Sequence, residues 1–132
     1  MKYLLDTHTF LWALSDTISL SKKALEVIKS PKNDIYVSAV TFWEISIKTR
    51  IKKLDLDTLK PEELIPIAEK MDFELISLTP EEAITYHNLL EKTHNDPFDR
   101  MLIWQAISRE MILISKDHEF KKFHQFGLKH IW

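Results

Sequence analysis

Four acidic residues stand where short apolar runs give way to helix-like segments, and their placement suggests one chemistry. Asp6 ends the run Tyr3-Leu4-Leu5. Glu44 lies six residues past Ser38, which itself follows Ile35-Tyr36-Val37. Asp99 takes the third position of a helix that Asp96 and Pro97 open. Asp117 follows the run Met111–Ile114 after Ser115-Lys116. Chain connectivity can converge these acids on one rim, and Coulomb repulsion makes that convergence expensive. Two like charges ~4 Å apart cost on the order of 4 kcal/mol at an effective dielectric of ~20. Such a cluster needs a proton, a basic partner or a divalent cation. Oxygen donors without histidine or cysteine nearby favour Mg²⁺ or Mn²⁺. These ions suit phosphodiester hydrolysis, because they activate water and neutralise charge on the phosphate and the leaving oxygen.

The elements that must position the acids alternate between strand and helix. Tyr3–Leu5, Ile35–Val37, Phe73–Leu78 and Met111–Ile114 read as short buried strands, and Leu128–Ile131 as a last edge strand. Between them fall helical stretches at Thr9–Leu14, Ser21–Lys29, Ser38 to about Lys52, Pro61–Met71, Thr79 onward, Asp96 to about Glu110, and His118–Phe123. Ala24, Leu25 and Ile28 share one face of the second stretch. Thr79-Pro80-Glu81-Glu82 has capping-box spacing, and Pro66 is placed to kink its helix. Apolar strands alternating with helices predict an α/β, three-layer, doubly wound domain with a central parallel sheet of four to five strands. In such sheets ligands bind beyond the carboxyl ends of the strands, where strand order reverses, and that is where the acids fall.

Composition narrows the alternatives. The chain has 132 residues, enough for a single domain over residues 1–132 with a sizeable core. It has no cysteine, which excludes disulfides, thiolate nucleophiles and cysteine-held metals. Its one glycine, Gly127, leaves no phosphate-cradling loop. The net charge of −2 means that any nucleic-acid contact must come from a local patch. Asp6 and His8 interrupt the apolar opening and no small-residue cleavage site follows, so no signal peptide is expected. No apolar run is long enough for a membrane span, and a cytoplasmic location is the default.

Four segments in order carry a resemblance. Leu5-Asp6-Thr7-His8-Thr9-Phe10-Leu11-Trp12, Val37-Ser38-Ala39-Val40-Thr41-Phe42-Trp43-Glu44-Ile45, Asp96-Pro97-Phe98-Asp99-Arg100 with Gln105-Ala106, and Ile114-Ser115-Lys116-Asp117 strongly resemble the PIN domain. In particular they resemble the VapC-type toxins of type II toxin–antitoxin systems, across essentially the whole chain. The resemblance implies a PIN-like fold and a Mg²⁺- or Mn²⁺-dependent endoribonuclease. It also implies inhibition by a cognate antitoxin protein and a homodimer. The family's acidic quartet falls on Asp6, Glu44, Asp99 and Asp117, as catalytic and metal-binding residues. Ser115 stands where the family often has Thr.

Other residues carry two readings. Asp96 is both a normal helix cap before Pro97 and a further acid at the site. Ser38 is a cap or a phosphate contact, Ser115 borders the last acid, and Arg100 is placed to orient Asp99 or a phosphate. Lys48, Arg50, Lys52 and Lys53 form either a solvated face or an RNA backbone track. The six histidines show no ligand spacing and are expected in surface or packing roles, with His8 nearest the site. Trp12, Trp43 and Trp104 are expected in the core or at an interface. Two other functions compete. A phosphoacceptor receiver domain needs an acid pair after strand one and an Asp after strand three, where this chain has only Asp6 and Ser77-Leu78-Thr79. A PIN-like protein-binding scaffold without cleavage would not need all four acids.

Overall fold

The computed structural model describes residues 1–132. Apolar runs too short for helices pair side by side as β1 (Lys2–Leu5), β2 (Asp34–Ser38), β3 (Glu74–Ile76), β4 (Ile112–Ile114) and β5 (Lys129–Ile131). All pairings are parallel, and the order is β3-β2-β1-β4-β5. The connecting helices are α1 (Thr7–Ser15), α2 (Lys22–Lys29), α3 (Ala39–Arg50), α4 (Leu64–Lys70), α5 (Pro80–Thr85) and α6 (Pro97–Ser108). Strand alternation divides the sheet between two cores. Tyr3, Leu5, Ile35, Val37 and Ile114 pack with Phe10, Ala13, Ala24, Ile45, Leu64 and Ala68, which come from α1 to α4. Leu4 and Leu113 point the other way, onto Leu102, Ile103 and Ala106 of α6 and onto Phe120 and Phe123. The result is the expected three-layer α/β domain, with five strands.

The strand order also excludes the receiver fold, whose order is 2-1-3-4-5. Here the order reverses between β1 and β4, which are the strands that Asp6 and Asp117 follow. Two hydrogen bonds close this junction. The Asp6 backbone N–H donates to the Ile114 carbonyl at 3.2 Å, and the Thr9 hydroxyl donates to the same carbonyl at 3.1 Å.

Local chemistry moves several boundaries from their expected places. α1 begins at Thr7 rather than Thr9, because Asp6 accepts the Thr9 N–H at 2.9 Å and serves as its cap. Thr7 is left free for another partner. The 61–71 stretch splits into a 3-10 turn, Pro61–Glu63, followed by α4. Pro66 then sits in the first turn of α4, where its missing N–H has no helical acceptor to serve. The strand expected at Phe73–Leu78 narrows to Glu74–Ile76. The last helix is a 3-10 segment, His118–Phe126, stopped by Gly127 at φ 101°.

Candidate active site

The carboxyl ends of β1 and β4 open into a cleft of about 290 Å³, lined by Asp6, Thr7, His8, Trp12, Glu44, Lys48, Asp96, Asp99, Lys116, Asp117 and Phe120. All four expected acids and Asp96 border it. Three of these are helix caps. Asp6 accepts from Thr9 N–H, Asp96 from Asp99 N–H and Asp117 from Glu119 N–H, each at 2.9 Å. Capping commits one oxygen of each to the backbone and fixes the carboxyl at the rim. The structural and functional readings of Asp96 are therefore compatible.

Glu44 reaches the cleft from the second turn of α3 and is 3% exposed. Its Oε1 accepts the Thr7 hydroxyl at 2.6 Å, and its Oε2 forms a close ion pair with the Lys48 ammonium one turn on. Asp99, at the third position of α6, does not reach back to close a capping box. Its Oδ2 lies 2.9 Å from His94 Nε2.

Burial and neighbouring negative charge set the electrostatics of the cleft. Burial pushes Asp6 above the usual carboxylate range, against hydrogen bonds from Ser115 and Thr9. Burial likewise lifts Asp99 to about 6; the His94 hydrogen bond opposes this, while the charges of Asp96 and Asp6 add to it. Burial alone would lower Lys48, but the Glu44 carboxylate raises it, with Asp96 and Asp99 contributing. The donor set fits a divalent cation, since the charges of Asp96 and Asp6 act against the ionisation of Asp99 and Lys48 is the one lysine ion-paired with a cleft carboxylate.

The sequence matches the PIN domain family over residues 3–125. The chain belongs to the PIN domain family. Among solved structures it is similar to VapBC2 from Rickettsia felis bound to a promoter DNA fragment, with TM-score 0.69 and 18% identity, covering 99% of this chain and 98% of that one. It is also similar to VapBC-1 from nontypeable Haemophilus influenzae, with TM-score 0.63 and 20% identity over 99% and 97%. A third likeness is FitAcB from Neisseria gonorrhoeae, with TM-score 0.64 and 16% identity over 98% and 96%. At these identities the likeness is one of fold. No curated protein sequence matches the chain.

Within this PIN fold the accessory residues divide. Ser115 is fully buried beside the acids; its oxygen accepts the Asp117 N–H at 3.1 Å and its hydroxyl bonds to Asp6. Ser38 lies outside the cleft. It is also fully buried, accepting the Val40 N–H and donating to Gln105 Oε1 at 2.5 Å, which leaves no proton for a phosphate. Arg100 touches no site carboxylate. Its guanidinium donates to the carbonyls of Leu89, Glu91 and His94 and to the Tyr86 hydroxyl, and so staples the loop that enters α6. Of the basic run, only Lys48 lines the cleft, while Arg50, Lys52 and Lys53 are exposed outside it.

Two residues beside the acids are not marked by the sequence, one lining the cleft and one behind it. Lys116 stands at the rim with its ammonium 5.7 Å from the centre of the Trp12 ring. His94 reaches Asp99 although it was assigned to packing or the surface. The available signal was its place two residues before the Asp96 cap, and no ligand spacing marks that.

Proposed function

We propose that this PIN domain is a metal-dependent endoribonuclease, hydrolysing RNA phosphodiester bonds as the toxin of a toxin–antitoxin pair in the cytoplasm. The observation that carries the reading is the convergence of Asp6, Glu44, Asp99 and Asp117 on one cleft at the β1/β4 reversal. Asp6, Asp99 and Asp117 would hold Mg²⁺ or Mn²⁺ directly or through water, with Glu44 behind them. When bound, the ion supplies an activated water and charge neutralisation at the phosphate. The chain's own part is to fix the carboxyls through the three caps and to hold the Glu44 side chain in place with Thr7 and Lys48. Lys48 and Lys116 offer positive charge to the RNA backbone at the cleft's edge. No helix is long and apolar enough to cross a membrane.

The proposed partner is a cognate antitoxin protein. The similar structures from Rickettsia felis and Haemophilus influenzae are VapBC complexes. In this chain an apolar groove lined by Leu11, Trp12, Leu14, Leu54, Leu56 and Leu59 runs beside the cleft and shares His8 and Trp12 with it. An amphipathic helix seated there could send its flanking segment into the acids. A homodimer is proposed through Trp43, which is 58% exposed on α3.

The test is cleavage of RNA in Mg²⁺ or Mn²⁺ by purified Asp6→Asn and Asp99→Asn proteins. Asn caps helices as well as Asp does, so folding by circular dichroism is expected to be retained. Activity should fall by about two orders of magnitude or more for loss of a metal-holding carboxyl. Full activity of Asp6→Asn would defeat the assignment.

A further inference from the structure

Behind Asp99 and Asp117 stands a nitrogen donor that an all-oxygen site would not need. His94 Nε2 lies 2.9 Å from Asp99 Oδ2, and one donor atom from each of His94, Asp99 and Asp117 lies within 4.8 Å of the others. Donors about 2.1 Å from a six-coordinate ion stand about 3 Å apart when adjacent and about 4.2 Å apart when opposite. The His94–Asp99 spacing already matches adjacent ligands of one ion, and the 4.8 Å limit on the set leaves at most a small inward movement to complete the three. A hydrogen bond that only steadied Asp99 would explain the first distance and not the approach of Asp117.

The imidazole is also held in place. Its ring meets Phe120 and Phe123 edge to face, with centroids 5.5 and 5.7 Å away. The backbone beneath it is tied at both groups. His94 N–H donates to Glu91 Oε1 at 2.9 Å, and the His94 carbonyl accepts from Arg100 at 3.1 Å. Lys122 holds the preceding residue through the Thr93 hydroxyl at 2.9 Å. Glu44, across the cleft, has both oxygens engaged by Thr7 and Lys48, which leaves the His94 side as the freer seat for a cation.

The geometry points to a mixed nitrogen–oxygen cation site, in which His94 Nε2 joins Asp99 and Asp117 around one divalent ion and biases the cleft toward Mn²⁺ over Mg²⁺. The inference rests on the metal-dependent reading above and specifies its ligands. In the bound state the ring carries its proton on Nδ1 and gives the Nε2 lone pair to the ion. Imidazole suits transition ions, whereas Mg²⁺ prefers oxygen and keeps its water.

The experiment is Mn²⁺ titration of the full chain followed by electron paramagnetic resonance, with pulsed detection of ¹⁴N coupling and Mg²⁺ as competitor. The wild type should show nitrogen coupling. His94→Gln, which keeps a donor for Asp99 but has no imidazole, should lose the coupling and bind Mn²⁺ about tenfold more weakly. Its Mg²⁺ affinity should change far less, so the preference between the ions narrows. Bound Mn²⁺ without nitrogen coupling in the wild type overturns the His94 assignment and leaves the carboxylate site standing. A wild type that binds no Mn²⁺ overturns both. The wild-type spectrum decides the question even if the variant fails to fold.

Discussion

Asp99 shows what a half-buried carboxyl in an acidic cleft costs a fold. Burial lifts it from 3.8 to about 6, with Asp96 and Asp6 adding repulsion that His94 only partly offsets. Between those two values the metal-free folded state binds more protons than the unfolded chain, so stability falls as pH rises from about 4 to about 6. The full shift corresponds to about 3 kcal/mol. Because the side chain is 27% exposed, solvent screening brings this nearer 1–2 kcal/mol. Asp99→Asn removes the penalty. At pH 7.5 without divalent cations the variant should unfold at a higher urea midpoint than the wild type, while RNA cleavage is lost. A lower midpoint with an unchanged denaturant slope would mean that the carboxylate stabilises the apo fold, and the account of crowding would be wrong.

At the scale of elements, α5 and α6 are joined by a carboxylate used three ways. Glu82 accepts the Thr79 N–H to close the cap of α5, the Gln105 amide from α6, and the Arg109 guanidinium just past the end of α6. Burial alone would raise Glu82, but these donors hold it down to about 2. A depressed carboxylate contributes stability that is fully present above its unfolded value of 4.5 and is lost as pH falls toward 2. Urea midpoints between pH 5 and 2.5 should therefore fall more steeply in the wild type than in Glu82→Gln, by about 2–3 kcal/mol across the range; parallel curves would exclude this. The Thr79–Glu82 box itself was legible in the sequence, because it is written in four consecutive residues. The end of α6 was not. The helix stops at Ser108 rather than about Glu110, Arg109 turns to Glu82 and Ser77, and Glu110 takes φ 56° with no glycine to announce it. Such a stop is set by a partner 27 residues earlier in the chain, which local patterning does not report.

For the whole molecule, the same division between local and distant information explains what could be read. Strand–helix alternation and apolar strands gave the layers, and acids at strand ends gave the cleft, since each signal lies within a few residues. His94 against Asp99 and Ser38 against Gln105 depend on how loops and layers close, and Arg100 looked like a site residue only because it adjoins Asp99. The proposed assembly is a feature of the same scale. Trp43 projects from α3 with its ring edge to face on Phe98, 5.4 Å between centroids. Beside it Val40, Leu78, Ala83, Tyr86, Pro97 and Met101 line an apolar groove of about 250 Å³. An exposed tryptophan next to an apolar groove is the composition of an interface centre, and a self-complementary patch serves a two-fold dimer. Light scattering at tens of micromolar should give twice the 15.7 kDa chain mass for the wild type, and the single-chain mass for Trp43→Glu. Because Trp43 lies outside the cleft lining, the variant should keep its circular dichroism and its Mn²⁺ binding. A wild type that is monomeric throughout, or a Trp43→Glu protein that still pairs, would remove this face as the contact.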